Sequence, residues 1–331
     1  MQNKSETDDH LYTIQYCFPH INSSCIKDFQ PDARNIILYI FISGISFLTV
    51  FLNLLVIISI SHFKQLHTPT NLLILSLAVA DMLVGLIVMP VQGIKLIDSC
   101  WYFGDTFCKI FPYFLYVVVT ASLGNLVFIS VDRYVAVNDP LRYPTRVTNN
   151  ITVFFILIIW LASFIFCNII LNQATPNTDK SQVCYGDCRF AIKFEYFITD
   201  FIFTFIGPCS VILSLYLKIF YIAKKQAQNL NSATEKKACL NDKAARTIGI
   251  VVIVYLLTYI PYYIAAFILP KESNEKVINI MYWIACLNSC MNPIIYAMFY
   301  RWFRITVKHI LTLRICEPLS EYFNLLPDNE V

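Results

Sequence analysis

Seven long apolar runs divide the chain, at about 35–62, 71–97, 108–134, 151–173, 194–222, 246–269 and 277–299, and the charged residues collect between them. Each run reaches the roughly 20 residues an α-helix needs to cross the hydrocarbon core of a bilayer. None alternates with period 2, so the pattern predicts helices rather than barrel strands. Lipid offers no partners to backbone polar groups, so each run must satisfy its own. The expected architecture is an all-α membrane protein. It has an extracellular N-terminal tail (1–34), a seven-transmembrane helix bundle (35–299), an amphipathic membrane-surface helix (300–315) and a cytoplasmic tail (316–331). In the surface helix Trp302, Phe303, Ile305, Val307, Ile310 and Leu311 mix with Arg301, Arg304, Lys308 and Arg314, which suits a helix lying on a leaflet. Cys316 just beyond it is a candidate for palmitoylation, with a plain reduced thiol as the alternative.

Composition sharpens this picture. The chain of 331 residues is 57% hydrophobic and 14% charged, against about 25% charged in an ordinary soluble domain. That argues against a water-soluble enzyme and excludes disorder. A net charge of +3 is too small to argue for a nucleic-acid partner. Placing the N-terminus outside leaves 15 Lys and Arg on the inner side and 10 on the outer, a modest positive-inside bias. The first 34 residues lack an apolar core, so the first span is expected to act as the topogenic signal. Sequons at Asn3 and Asn22 agree with an outer tail, and a third at Asn150 should be inert on the inner side.

Six of the 12 cysteines fall outside the spans or at their outer ends: Cys17, Cys25, Cys100, Cys108, Cys184 and Cys188. That is the oxidising side. A bridge from Cys108 to Cys188 would tie a loop over the mouth of the bundle, but six cysteines allow about 15 pairings.

An ionisable group costs about 2.5–3.5 kcal/mol at the centre of a span on insertion scales. Two acids stand out, Asp81 and Asp200. Asp81 shares its depth with Asn53, Asn288 and Asn292, which reads either as a hydrogen-bond cluster gluing helices or as a cation site used in switching. Asp200 lies about two turns below the outer end of the fifth span, with Phe197 and Thr204 on its face. No basic residue lies deep in another span. A buried carboxylate must protonate or find a cation. Tyr259, Tyr262, Tyr263, Tyr282 and Trp283 are available to wall the site, and an acid among aromatic faces suits an ammonium ligand. The plainer alternative is an Asp bonded to neighbouring hydroxyls. Prolines at 90, 208, 261 and 293 place kinks in four spans.

Ordered landmarks run through every span: Asn53, Leu77-Ala-Val-Ala-Asp81, Trp101 before Cys108, Asp132-Arg133-Tyr134, Trp160, Pro208 with Tyr216, Pro261, and Asn292-Pro293-Ile-Ile-Tyr296. With these the chain resembles the rhodopsin-like G-protein-coupled receptors over nearly its whole length. Asn288 to Phe303, Cys100-Trp-Tyr-Phe-Gly104 and Cys184-Tyr-Gly-Asp-Cys188 narrow the resemblance to the trace amine-associated receptors. The resemblance implies a small-amine ligand, a heterotrimeric G protein of the cAMP-raising class, and plasma-membrane or olfactory-cilium localisation. Arrestin and a receptor kinase would be further partners beside membrane lipid. It implies Cys108–Cys188 and an N-terminal cysteine paired with Cys184, Cys17 first and Cys25 second. It also implies coupling and switching by Asp132, Arg133, Tyr134, Tyr216, Asn292, Pro293 and Tyr296, with sodium at Asp81, Asn288 and Asn292 and no other cofactor.

Departures from the family pattern locate the site. The usual amine-binding Asp of the third span is Leu115 here. Some fish-type members carry it instead at the fifth-span position that Asp200 matches. Tyr259 replaces the common Trp above the sixth-span proline, Tyr255 and Thr258 replace Phe and Cys, and Asn241 stands where a Glu often restrains the third-span arginine. That last change raises the expectation of basal activity. The expected ligand set is Asp200, Leu115, Val119, Thr204, Tyr259, Tyr262, Tyr263 and Tyr282, with Asp98, Glu195 or Asp187 available to the far end of a diamine. A peptide receptor of the same fold is the nearest rival. A transporter would show repeats, and a light receptor needs a lysine where Cys286 stands. No P-loop, His-Glu-x-x-His or Gly-x-Ser-x-Gly run supports an enzyme.

Overall fold

The chain folds as a bundle of seven membrane-length helices followed by one short helix. The computed structural model describes residues 15–27, 33–98, 100–172, 175–176, 184–188, 190–191, 193–228, 235–269 and 271–325. Helix α1 is Ala33–His62. Helix α2 is Pro69–Asp98, with a wide π-turn at Val84–Val88. Helix α3 is Gly104–Asn138 and α4 is Asn149–Leu171. Helix α5 joins Phe194–Phe201, a π-turn at Ile202–Ile206 and Gly207–Gln228. Helix α6 is Glu235–Ile268, and α7 joins Lys271–Cys286 to Asn288–Phe299. Helix α8 is Arg301–Leu311. Local chemistry sets the starts: Thr68 caps α2 ahead of Pro69, accepting from Asn71 N–H, and Thr148 caps α4.

Helices α1 and α2, and likewise α3 and α4, approach closely at glycines. A Cβ on Gly93 of α2 would meet Ile42 of α1 at 2.5 Å, and one on Gly124 of α3 would meet Ile159 of α4 at 2.7 Å. Without a hydrophobic drive between helices in lipid, this backbone proximity supplies the packing. Leucine, isoleucine and phenylalanine on the outward faces stay exposed, Phe47 at 70% and Leu157 at 64%, as a lipid-facing surface requires.

Three disulfides cluster at one end of the bundle, called the disulfide end below: Cys108–Cys188, Cys25–Cys184 and Cys17–Cys100. The expected Cys17–Cys184 bridge is therefore corrected. The tail folds as a hairpin, with Cys17 N–H donating to the Cys25 carbonyl at 2.8 Å. Its returning strand pairs with the loop before α5: Cys25 N–H donates to the Tyr185 carbonyl at 3.0 Å and Tyr185 N–H to the Ser23 carbonyl at 2.7 Å. That register puts Cys25 beside Cys184, Cα to Cα 4.8 Å, and turns Cys17 toward Cys100. Gly186 sits at φ +97° against the Phe18 ring, a place closed to any side chain. Beside the staple, Asp98 accepts from Tyr102 Oη at 2.6 Å and lies 3.6 Å from Lys27 Nζ. Burial, and the bond to Asp98, push the Tyr102 phenol well above its ordinary value, so it remains a donor. Asn22 is exposed on the tail turn, and Asn3 lies outside the described residues.

At the opposite end α8 turns back under the bundle. Trp302 and Phe303, expected to meet a leaflet, pack instead with Ile60 and Phe63 of the core. Leu311 and Cys316 are exposed. The chain after α8 does not run free as far as it is described. Ser320 Oγ lies 2.9 Å from His62 Nε2, Glu321 pairs with Lys64 at 2.9 Å, and Gln65 accepts from Leu325 N–H at 2.9 Å. The Lys64 ammonium, donating to Glu321, holds that carboxyl below its usual range.

Two outcomes test this packing. Non-reducing peptide mapping should recover Cys17 linked to Cys100 and Cys25 to Cys184; a Cys17–Cys184 peptide would refute the register. Gly93→Val should lower the thermal stability of purified protein by about 1–3 kcal/mol through overpacking. Gly44→Val, where a Cβ meets nothing within 4 Å, should stay near the parent.

Candidate ligand site and switch residues

Below the disulfide end, helical spacing gathers side chains from four helices onto one cavity. Leu115, Tyr116, Val119, Thr120 and Leu123 come from successive turns of α3, Asp200 and Thr204 from α5. Tyr255, Tyr259, Tyr262 and Tyr263 come from α6, and Tyr282 from α7. All eight residues expected from the sequence stand on this cavity. Tyr116, Thr120, Leu123 and Tyr255 were missed; the first two follow Leu115 and Val119 by one residue, so widening the α3 face would have found them. The chamber is small, about 40 Å³. Leu115, Tyr116, Tyr262 and Tyr282 also line a vestibule of about 210 Å³ above it, with Gln92, Lys95 and Asn279. Lys95 Nζ donates to the Cys188 carbonyl at 3.0 Å, tying the vestibule wall to the disulfide loop.

Trp283 is a correction to the expected wall. One residue from Tyr282, it is turned by about 100° on a helix. It packs near Phe41 of α1 at 6.0 Å and donates to the Met89 carbonyl of α2 at 3.3 Å. Asp98 is tied to Lys27 and Tyr102, and Glu195 is exposed, so neither enters the chamber lining.

Among the described residues four aspartates are buried, Asp81, Asp98, Asp132 and Asp200. Three are plainly satisfied. Asp81 accepts from Ser122 Oγ at 2.9 Å and Asn292 Nδ2 at 2.7 Å. Asp132 accepts from Thr70 Oγ1, Tyr143 Oη and Arg133 Nη2, each at 2.7 Å. Asp98 has Tyr102 and Lys27. Asp200, 5% exposed, keeps Oδ1 without a hydrogen-bond partner, and the buried Tyr282 hydroxyl is likewise unpartnered. Leaving a buried acceptor unmet costs about 1–3 kcal/mol, more for a charged group. Tyrosines line the same chamber, Tyr262 edge-on to Tyr282 at 5.2 Å, and behind them Phe201 and Phe205 each lie 4.9 Å from Tyr263.

Midway down the bundle, Asn292 of α7 reaches Asp81, while Asn53 donates to the Ser289 carbonyl at 3.0 Å. Ser122 joins this network without having been expected, and Asn288 leaves its amide nitrogen unpartnered. Beside the Asp81 carboxylate and the Ser122 hydroxyl, Asn292 keeps its carbonyl oxygen unmet, and these hard oxygen groups fit a small hard cation. At the far end Arg133 is held by Asp132 and by Thr70. Tyr216 lies against Gly249 of α6, where a Cβ would come within 2.8 Å of its hydroxyl. Tyr296 is buried, 5.9 Å from Tyr300. Tyr134 packs with Val137, Ile219 and Ile222. The side chains of Asn241 and Asp242 lie outside the described residues.

Comparisons with known proteins agree with this layout. Residues 52–296 match the family described as 7 transmembrane receptor (rhodopsin family). Trace amine-associated receptor 13c of Danio rerio is 38% identical over 327 residues, covering 94% of this chain and 96% of that protein. Trace amine-associated receptor 7a of Rattus norvegicus is 40% identical over 349 residues, covering 99% and 97%. The 7a receptor of Mus musculus is 39% identical over 336 residues, covering 96% and 93%. A multi-pass bundle that ends in Asn292-Pro293-Ile-Ile-Tyr296 and matches such relatives along almost its full length is a receptor rather than an enzyme, and the chain belongs to the trace amine-associated receptors of the rhodopsin-like family.

Proposed function

We propose that this receptor binds a small organic amine through Asp200 and passes that event to a heterotrimeric G protein at the Arg133 end. The observation that carries the reading is the Asp200 carboxylate, buried, with one oxygen unpartnered, inside a chamber walled by tyrosines. An ammonium would supply the missing hydrogen bond and the counter-charge together, and its C–H edges would meet the ring faces. Its apolar body would lie on Leu115 and Val119. The relatives' names point to the same ligand class. The chamber's small volume favours such a ligand over a peptide.

The disulfide end faces the oxidising exterior in this reading, and the Arg133 end faces the cytoplasm. A ligand moves the equilibrium only as far as its affinities for the two arrangements differ. The resting arrangement is the one described, with Arg133 paired to Asp132. In the active one, α6 swings about Pro261, Arg133 and Tyr134 meet the G protein, and Tyr216 and Tyr296 brace the opening. Asp81, Ser122 and Asn292 would hold sodium in the resting form. Coupling to the cAMP-raising class follows the family resemblance.

Asp200→Asn is the decisive substitution. Removing the charge from a desolvated pair costs about 2–3 kcal/mol, so amine potency should fall about 30- to 150-fold at equal surface expression. Unaltered potency in a cAMP assay over a panel of mono- and diamines would remove Asp200 as the anchor.

A further inference from the structure

Pro208 has no N–H, so the carbonyl of Thr204, four residues before it, loses its helical donor. The loss falls in the middle of the π-turn Ile202–Ile206, one turn below Asp200. In lipid such a carbonyl needs a partner from another helix. The partner is Tyr255 of α6, whose hydroxyl donates to the Thr204 carbonyl at 2.9 Å. A second contact joins the same residue to α6. Thr204 Oγ1 donates to the Asp200 carbonyl at 2.8 Å, so at its 2.8 Å contact with Tyr263 the phenol is the donor. One α5 residue is therefore held to α6 at two points.

The two points lie on opposite sides of Pro261. Tyr263 is two residues beyond it, and Tyr255 six residues before it, about 9 Å along the helix. A swing of α6 about Pro261 leaves the first contact near the pivot and carries the second away. Tyr255 also lines both the ligand chamber and a lower apolar cavity of about 30 Å³ that Tyr296 and Tyr300 share. We propose that Tyr255 is a positioning residue that latches α6 to α5 in the resting arrangement, through the Thr204 carbonyl that Pro208 leaves without its donor. The latch rests on reading the chamber as a ligand-gated switch. It adds to that reading a specific bond that activation must break.

Tyr255→Phe removes only the hydroxyl and keeps the ring, which stacks on Tyr259 at 4.5 Å and lies 6.2 Å from Phe205. A lost bond of this kind should shift the resting-to-active ratio about three- to tenfold. Basal nucleotide exchange on a panel of heterotrimeric G proteins should rise by that factor at equal receptor level. Amine affinity of the detergent-solubilised receptor, measured without G protein, should rise by the same factor. A purely structural role would lower thermal stability and leave affinity unchanged or reduced, and that result overturns the latch. The same change in the Asp200→Asn background separates the two claims. If the raised basal exchange persists there while the amine response is lost, both stand. If Asp200→Asn still abolishes the response but Tyr255→Phe alters neither basal exchange nor affinity, the latch falls and the anchor remains. If basal exchange rises while Asp200→Asn leaves potency intact, the latch stands and the anchor falls.

Discussion

A backbone carbonyl in lipid that has lost its helical donor must find another, and two interhelical bonds of this bundle grow from that constraint. Each proline within a span creates such an acceptor four residues earlier. Pro208 exposes Thr204, and Tyr255 of α6 answers it. Pro293 exposes Ser289, and Asn53 of α1 answers that. A kink is usually described as a weakness in one helix. Here it is also a fixed polar contact on the neighbour, because the freed group cannot turn to water. The price is that the contact depends on helix position, so any motion that separates the two helices leaves the carbonyl unmet. Rigidity at rest and a barrier to switching have the same origin.

The same logic ranks the buried carboxylates. Asp132 gathers a threonine, a tyrosine and an arginine, and Asp81 gathers a serine and an asparagine. Both are complete within the chain, and both link helices. Asp200 sits at similar burial but retains an oxygen that nothing meets. The fold carries this cost where the surrounding groups are aromatic and the vestibule opens above. A purely structural aspartate would have drawn a hydroxyl across, as Asp98 draws Tyr102. Thr204, on the same face, donates to the Asp200 backbone carbonyl and meets Tyr263, and Oδ1 of Asp200 stays unmet.

Much of this was legible in the residues themselves. Spans follow from runs of apolar residues, and the chamber follows from 3.6-residue spacing once one acid marks the face. Asp200 and Thr204, or Tyr255, Tyr259 and Tyr262, recur at i,i+3 and i,i+4 spacing for that reason. Three features were not readable that way. Disulfide pairing depends on the tail hairpin register, a non-local choice among many, and Cys25 rather than Cys17 reaches Cys184. Trp283 belongs by composition with the chamber aromatics, but one residue of helical phase turns it to α1 and α2. The π-turn in α5 adds a residue to one turn and resets the faces below Asp200, with no residue type that announces it.

Contact between the chamber and the Arg133 end is continuous but not uniform. Tyr255 divides the chamber above from the apolar cavity below, and that lower cavity is bounded by Ser130, one turn before Arg133, and by Tyr296 and Tyr300 of the last span. Continuity alone does not couple two sites; coupling needs an element with two arrangements that both sites bias. The α6 segment from Tyr255 to Tyr263 has the makings of one. It is bonded to α5 on both sides of Pro261, next to Asp200 above and next to void space below. Space beneath a bonded side chain gives it somewhere to go once the bond is lost. Asp200 lies one turn from Thr204, the residue that carries both bonds. The chamber and both bonds that flank Pro261 therefore share a single residue of α5, Thr204.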